Sequence, residues 1–87
     1  MRTGAETLKW VSFGTPDTPF VVANVGEHCY VKTWKSSSGE WWGESSAKPT
    51  EFRLKAKTLA GAKAEAIRRL HSDLLAEAEA VAAVMGL

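Results

Sequence analysis

The stretch that decides the fold lies between residues 29 and 42 and reads Cys29-Tyr30-Val31-Lys32-Thr33-Trp34-Lys35, then Ser36-Ser37-Ser38-Gly39, then Glu40-Trp41-Trp42. The first part is rich in β-branched and aromatic residues, the second has turn chemistry and the third is aromatic again, which together predict a β-hairpin. Successive strand side chains point to opposite faces of a sheet. The adjacent indoles of Trp41 and Trp42 therefore cannot both enter one core, and one of them is left for a partner or a second subunit.

The length of the turn determines which of the two indoles faces the core and which lies on the other face of the sheet. A four-residue loop over 36–39 would place Lys35 opposite Glu40 and Trp34 opposite Trp41. We expect the smaller and more apolar face to lie in the core, with the larger face open, although the reverse packing stays an alternative. A one-residue slip in the loop would exchange the two indoles. In this register the expected open face carries His28, Tyr30, Lys32, Trp34 and Trp41, and the expected core face carries Cys29, Val31, Thr33 and Trp42.

Further strands are predicted on both sides of this hairpin. Runs at 8–13 and 20–25 are β-rich and are separated by a segment with two prolines and a glycine, which cannot continue a strand. The run at 51–56 alternates, with Phe52 and Leu54 on one side and Arg53 and Lys55 on the other, as in a half-buried strand.

From Leu59 onward the apolar residues recur at spacings of three and four, which predicts a helix with Thr58 as its N-cap and Gly86 at its C-terminal end. The sequence therefore predicts one α+β domain over 1–87, with a β-rich region at 1–57 and a helix at 58–86. The fold class is an antiparallel sheet of three to five strands packed by one long C-terminal helix.

The predicted helix is longer than the sheet it covers. A continuous helix of this length measures about 40 Å, whereas a six-residue strand spans only about 20 Å. Its last turns must overhang the sheet, break near Ser72-Asp73 or pack on something else. The favoured expectation is a homodimer through Ala78, Val81, Ala82 and Met85.

Composition narrows the class of protein further. The chain has 87 residues, a formal net charge of +1 and a single cysteine, so an internal disulfide is not possible and a reducing, cytoplasmic location is expected. No apolar run approaches the roughly 20 residues that span a bilayer, so no membrane partner is predicted.

Catalytic patterns are missing from the sequence. His28 and Cys29 are neighbours on a predicted strand, so their side chains diverge and cannot form a thiolate–imidazole pair. One cysteine and two distant histidines do not have metal-ligand spacing, and the glycines match no phosphate-binding loop. We expect no enzyme activity, no metal and no cofactor.

Positive charge is concentrated between residues 51 and 71, where six basic and two acidic side chains give a net charge of +4. Such a band can bind phosphates or an acidic protein surface. Alternatively, it is a solvated strand edge and helix face with no binding role. We expect the partner-binding surface to combine the expected open face of the sheet with this basic band. Its candidate residues are Tyr30, Lys32, Trp34, Trp41, Arg53, Lys55, Lys57 and Arg68.

The chain resembles two kinds of protein. Residues 30–70, with Gly39, Phe52 and Thr58-Leu59 before an alanine-rich helix, look like the three-stranded-sheet DNA-binding domains at the N-termini of phage integrases. That resemblance implies that Tyr30, Lys32 and Trp34 would read a DNA groove. In size and character the chain also resembles small single-domain proteins of phages, anti-CRISPR proteins among them, which block host defence complexes. Because the net charge is nearly neutral, we favour a non-catalytic, protein-binding inhibitor of this type over nucleic-acid binding.

Overall fold

The computed structural model of the chain describes residues 8–86. Within these residues, five antiparallel strands lie side by side in the order in which they occur along the chain, and a single helix follows the last strand. The sequence-based expectation of an α+β fold with one long C-terminal helix is confirmed. The elements are β1 Trp10–Gly14, β2 Pro19–Val25, β3 Cys29–Lys35, β4 Trp41–Ser45, β5 Lys48–Arg53 and α1 Leu59–Met85.

The core lies between one face of the sheet and the first three turns of α1. Because side chains alternate along each strand, every second residue of β2, β3 and β4 points toward the helix. Small side chains on α1, Ala62 and Ala66, let the helix approach the sheet closely. The buried residues that form this layer are Val21, Ala23, Val31, Thr33, Trp41, Ser45, Phe52, Leu54, Ala62, Ala66 and Leu70.

The β3–β4 turn differs from the four-residue loop expected from the sequence. The Ser36 N–H donates to the Glu40 carbonyl at 2.8 Å, and the Gly39 N–H donates to the Ser36 carbonyl at 2.9 Å. Gly39 has a φ of 90°, as in a three-residue loop closed by a left-handed glycine. The loop is one residue shorter than expected, with Ser36 opposite Glu40, and this moves the pairing by one position, so that Lys35 lies opposite Trp41.

This shift exchanges the indoles of Trp41 and Trp42 between the two faces of the sheet. Trp41 points under the helix and is 6% exposed, so its expected place on the open face is wrong. Trp42 lies opposite Trp34 on the other face. The expectation that Val31 and Thr33 face the core is confirmed, and the buried Thr33 hydroxyl donates to the Trp42 carbonyl at 2.7 Å.

The last strand begins earlier than the sequence predicted. β5 starts at Lys48 and ends at Arg53, with a pairing irregularity between Gly43 and Ser45. Its Pro49 is accommodated because β5 is an edge strand, where a missing N–H need not break a ladder. The predicted inward direction of Phe52 and Leu54 is confirmed, since both are buried.

The helix is continuous, and the break considered near Ser72-Asp73 does not occur. The Thr58 side chain accepts from the Gly61 N–H at 3.1 Å, and Gly86 closes the helix in a left-handed conformation, so both predicted caps are confirmed. Leu70 is its last fully buried residue. The second half of α1 therefore projects past the sheet, and the molecule measures 49 × 26 × 23 Å.

Gly43 is required by the packing of β4 on β5. A Cβ added there would lie 2.7 Å from Cε2 of the buried Phe52 ring. We expect Gly43→Ala to lower the free energy of unfolding by about 1–3 kcal/mol, because the ring or the strand must shift.

A matched control lies two residues further along the same strand. The buried Ser45 Oγ has no hydrogen-bond partner among the described residues, so Ser45→Ala should be neutral or stabilising. Urea denaturation of both variants tests this packing. An unchanged midpoint for Gly43→Ala would show that Phe52 does not pack against β4 in this way.

Within residues 8–86 no helix is both long enough and apolar enough to cross a bilayer.

Candidate interaction surface

The sheet face opposite α1, here called the open face, carries four aromatic side chains in a single row. Strand pairing places Phe13 opposite Phe20, Phe20 opposite Trp34, and Trp34 opposite Trp42. Directly opposed side chains on one face lie about 4.5–5.5 Å apart at Cβ, so the rings form a continuous band across four strands. We refer to Phe13, Phe20, Trp34 and Trp42 as the aromatic row.

The rings of the aromatic row contact one another. The Phe20 and Trp34 rings are stacked, with centroids 5.5 Å apart and planes at 15°. Phe13 meets Phe20 edge to face at 6.3 Å. Such pairs contribute about 0.5–1.5 kcal/mol beyond the burial of area, which holds the side chains in a fixed arrangement before any partner arrives.

The aromatic row is accessible to solvent. Phe13 is 58% exposed, and Phe20, Trp34 and Trp42 are half-buried by one another. A shallow depression at one end of the row is lined by Phe13, Phe20 and Trp34, with Gly14, Thr18 and Lys35 around it. A contiguous group of partly exposed aromatic rings on a small domain is typical of a surface that binds a partner.

At its other end the aromatic row meets a charged pair. Arg53 of β5 lies opposite Trp42, and its guanidinium is 3.9 Å from the Glu40 carboxylate. Both side chains are partly in solvent, so the pair stabilises the fold little. Its effect is to leave the edge of the row close to electrically neutral.

A second polar cluster lies beside the row, around Glu44. The Tyr30 hydroxyl donates to Glu44 Oε2 at 3.2 Å, and Lys32 Nζ is 3.8 Å from the same oxygen. The Lys32 ammonium also lies 5.2 Å from the centre of the Tyr30 ring. Desolvation on the sheet and then the Glu44 carboxylate raise the pKa of Tyr30 above 10.0, so the phenol stays protonated and continues to donate.

The basic band contributed four candidate residues to the expected partner-binding surface, and three of them lie together beyond the end of the aromatic row. Arg53, Lys55 and Lys57 line a groove with Lys35 and Glu40, between the β3–β4 turn and the segment leading into α1. We call these residues the basic groove. The neighbouring backbone is fixed, since the N–H groups of Lys55 and Ala56 donate to the Glu65 carboxylate at 3.0 Å. Arg68 is exposed on α1 and does not line this groove.

The structure thus brings Tyr30, Lys32 and Trp34 onto one face, as the sequence predicted. On that face Trp42 takes the place expected for Trp41, which is buried instead. Sequence reasoning missed Phe13 and Phe20. These two phenylalanines pair across the four-residue loop over 15–18. Their positions on either side of that loop could have predicted this pairing from the sequence.

Residues 8–86 contain no cluster of three or more His, Cys, Asp or Glu side chains that could hold a metal ion. Cys29 is a half-buried free thiol.

Comparison with known proteins found no matching family model, no similar curated protein and no similar solved structure. The two resemblances drawn from the sequence therefore stay predictions.

Proposed function

We propose that this chain is a non-catalytic binding domain that contacts a protein partner through the aromatic row of its open face. The observation that carries this proposal is the alignment of Phe13, Phe20, Trp34 and Trp42 across four paired strands on the face that α1 leaves uncovered. Aromatic side chains dominate the energy of protein interfaces because they bury large areas at a small cost in conformational entropy. A small inhibitor that blocks a surface of a larger host defence complex would act through a surface of this kind.

The electrostatics of the open face favour a protein over a nucleic acid. Lys32 is paired with Glu44, and Arg53 with Glu40. Binding a phosphate backbone requires free cations, and it would bring phosphates close to both carboxylates. An interface centred on aromatic rings has no such requirement, and its polar rim can keep these pairs in place.

A second candidate function is binding of a nucleic acid. The observation that favours it is the position of Arg53, which lies opposite Trp42 in the aromatic row and also lines the basic groove. Half-exposed rings could then stack on unpaired bases while Lys35, Lys55 and Lys57 contact phosphates. This arrangement would correspond to the resemblance to integrase N-terminal domains.

Salt dependence separates the two functions. We expect binding of the captured partner to weaken only slightly between about 50 and 200 mM salt, because burial of aromatic area is little affected by screening. A nucleic-acid complex would instead lose affinity linearly with the logarithm of salt concentration. The measurement is a pull-down from bacterial lysate with the full chain immobilised, followed by titration of the purified partner at several salt concentrations.

The control in this experiment is a variant of the basic groove, Lys55→Ala with Lys57→Ala. The protein-binding function predicts that this variant captures the same partner as the unaltered chain. Capture that is lost on nuclease treatment, or in the basic-groove variant alone, would contradict a protein partner and support the second function.

A further inference from the structure

The projecting half of α1 exposes apolar side chains that the sheet does not cover. Residues 71–86 extend about 24 Å beyond Leu70 at 1.5 Å per residue. Within them Leu74 is 38% exposed, Val81 58% and Met85 66%. Burial of such side chains against a second surface lowers the free energy.

These side chains belong to a regular repeat along α1. Apolar positions alternate at spacings of four and three from residue 60 to residue 85, interrupted by a single histidine. An average spacing of 3.5 residues is the pattern of a helix that packs along its length against another helix. We call this set the heptad stripe, and it consists of Ala60, Ala64, Ile67, His71, Leu74, Ala78, Val81 and Met85.

The heptad stripe is not the line by which α1 packs on its own sheet. That line consists of Ala62, Ala66 and Leu70, the buried residues of the helix. At 3.6 residues per turn the centre of the stripe lies roughly a third of a turn around the helix from it. Two residues of the stripe, Ala64 and Ile67, are partly buried, Ile67 against the core, and the other six are exposed to solvent.

The charges of α1 indicate what covers the stripe. Its first half carries Lys63, Arg68 and Arg69 against one carboxylate, Glu65, and its second half carries three carboxylates and no cation. Moreover, α1 has no acidic residue in its first turn and no basic residue in its last turn. This polarity is the reverse of what the dipole of a lone helix favours. An antiparallel neighbour with the same sequence places each acidic half beside a basic half and opposes the two dipoles.

We propose that the heptad stripe docks against the heptad stripe of a second copy of this chain, with the two helices antiparallel. The stripe spans 26 residues, or about 39 Å, and a helix is only about 10 Å wide. The interface is therefore smaller than the roughly 800 Å² per partner of a standard complex. We expect a reversible dimer that dissociates at tens of micromolar, a range that corresponds to about 6 kcal/mol of binding free energy.

Sedimentation equilibrium of the full chain tests the dimer. We expect Val81→Glu to weaken association at least about tenfold, because it places a carboxylate in the centre of an apolar contact. Ala83→Glu is the matched control, since it adds the same charge two residues away on a different side of the helix, outside the stripe. A monomer at several hundred micromolar, or equal effects of the two variants, would overturn the proposal.

The orientation has its own test. Glu77→Lys combined with Glu79→Lys should weaken self-association severalfold, because the altered half then faces a basic half. Mixing this variant with Arg68→Glu should recover part of the affinity. In a parallel pair the same variant would lose no affinity, because like charges would face each other before and after the change. Unchanged self-association of this variant would therefore overturn the antiparallel arrangement. Trp34→Ala must leave the dimer intact; loss of association there would place the contact between two open faces instead.

Discussion

Trp41→Ala is expected to lower the free energy of unfolding by about 3–5 kcal/mol, as is usual for the removal of a buried tryptophan. The Trp41 side chain is 6% exposed and packs with Phe52, Leu54 and Ala62 beneath the helix. Small domains have a total stability of only about 5–15 kcal/mol. A loss of this size should lower the melting temperature by more than about 10 °C. Circular dichroism on heating measures this change.

The neighbouring tryptophan is the control for that experiment. Trp42 is half-buried on the open face, so Trp42→Ala should lower the free energy of unfolding by no more than about 1–2 kcal/mol, chiefly through lost contacts between rings. The four-residue turn expected from the sequence would give the opposite order of stability. A larger loss in Trp42→Ala than in Trp41→Ala would therefore show that the three-residue turn is wrong.

Trp34→Ala should weaken partner binding at least about 30-fold, which corresponds to the 2 kcal/mol or more that a central aromatic residue contributes to an interface. Trp34 lies in the middle of the aromatic row, between Phe20 and Trp42. The loss of its stack on Phe20 should reduce stability by only about 1 kcal/mol. Titration of the captured partner with the folded variant measures the change in affinity.

The control for binding is a residue on the same face but outside the row. Asn24 of β2 is exposed, and it lies opposite Tyr30 rather than opposite any ring of the aromatic row. Asn24→Ala should bind normally. If Asn24→Ala and Trp34→Ala weaken binding equally, or if neither does, the aromatic row is not the centre of the interface.

Local patterns in the sequence were sufficient to predict the number and order of the strands and the helix, although not the bounds of β5. Alternation at 51–56 predicted the inward direction of Phe52 and Leu54, and the composition of the turns separated the strands. The caps at Thr58 and Gly86 were also predictable, because capping depends on one or two residues and their immediate neighbours. All of these features are determined within a few residues of the chain.

The candidate site could be predicted only in part, because it depends on strand register. Register at the β3–β4 turn depends on whether Gly39 adopts a left-handed conformation and closes a three-residue loop. A single residue of loop length exchanges Trp41 and Trp42 between the two faces. Phe13 and Phe20 were missed for a related reason: the loop over 15–18 indicates that they pair with each other, but their place in the row depends on the pairing of β2 with β3, which no local pattern specifies.

The most direct test of the proposed surface follows the tryptophan indole N–H resonances of the ¹⁵N-labelled chain during titration with the captured partner. The chain has four tryptophans, and Trp34 and Trp42 lie in the aromatic row whereas Trp41 lies in the core. We predict that the indole signals of Trp34 and Trp42 shift or broaden on binding, while that of Trp41 is unchanged. Unchanged signals from Trp34 and Trp42, together with backbone shifts at Lys55 and Lys57 of the basic groove, would contradict binding through the aromatic row.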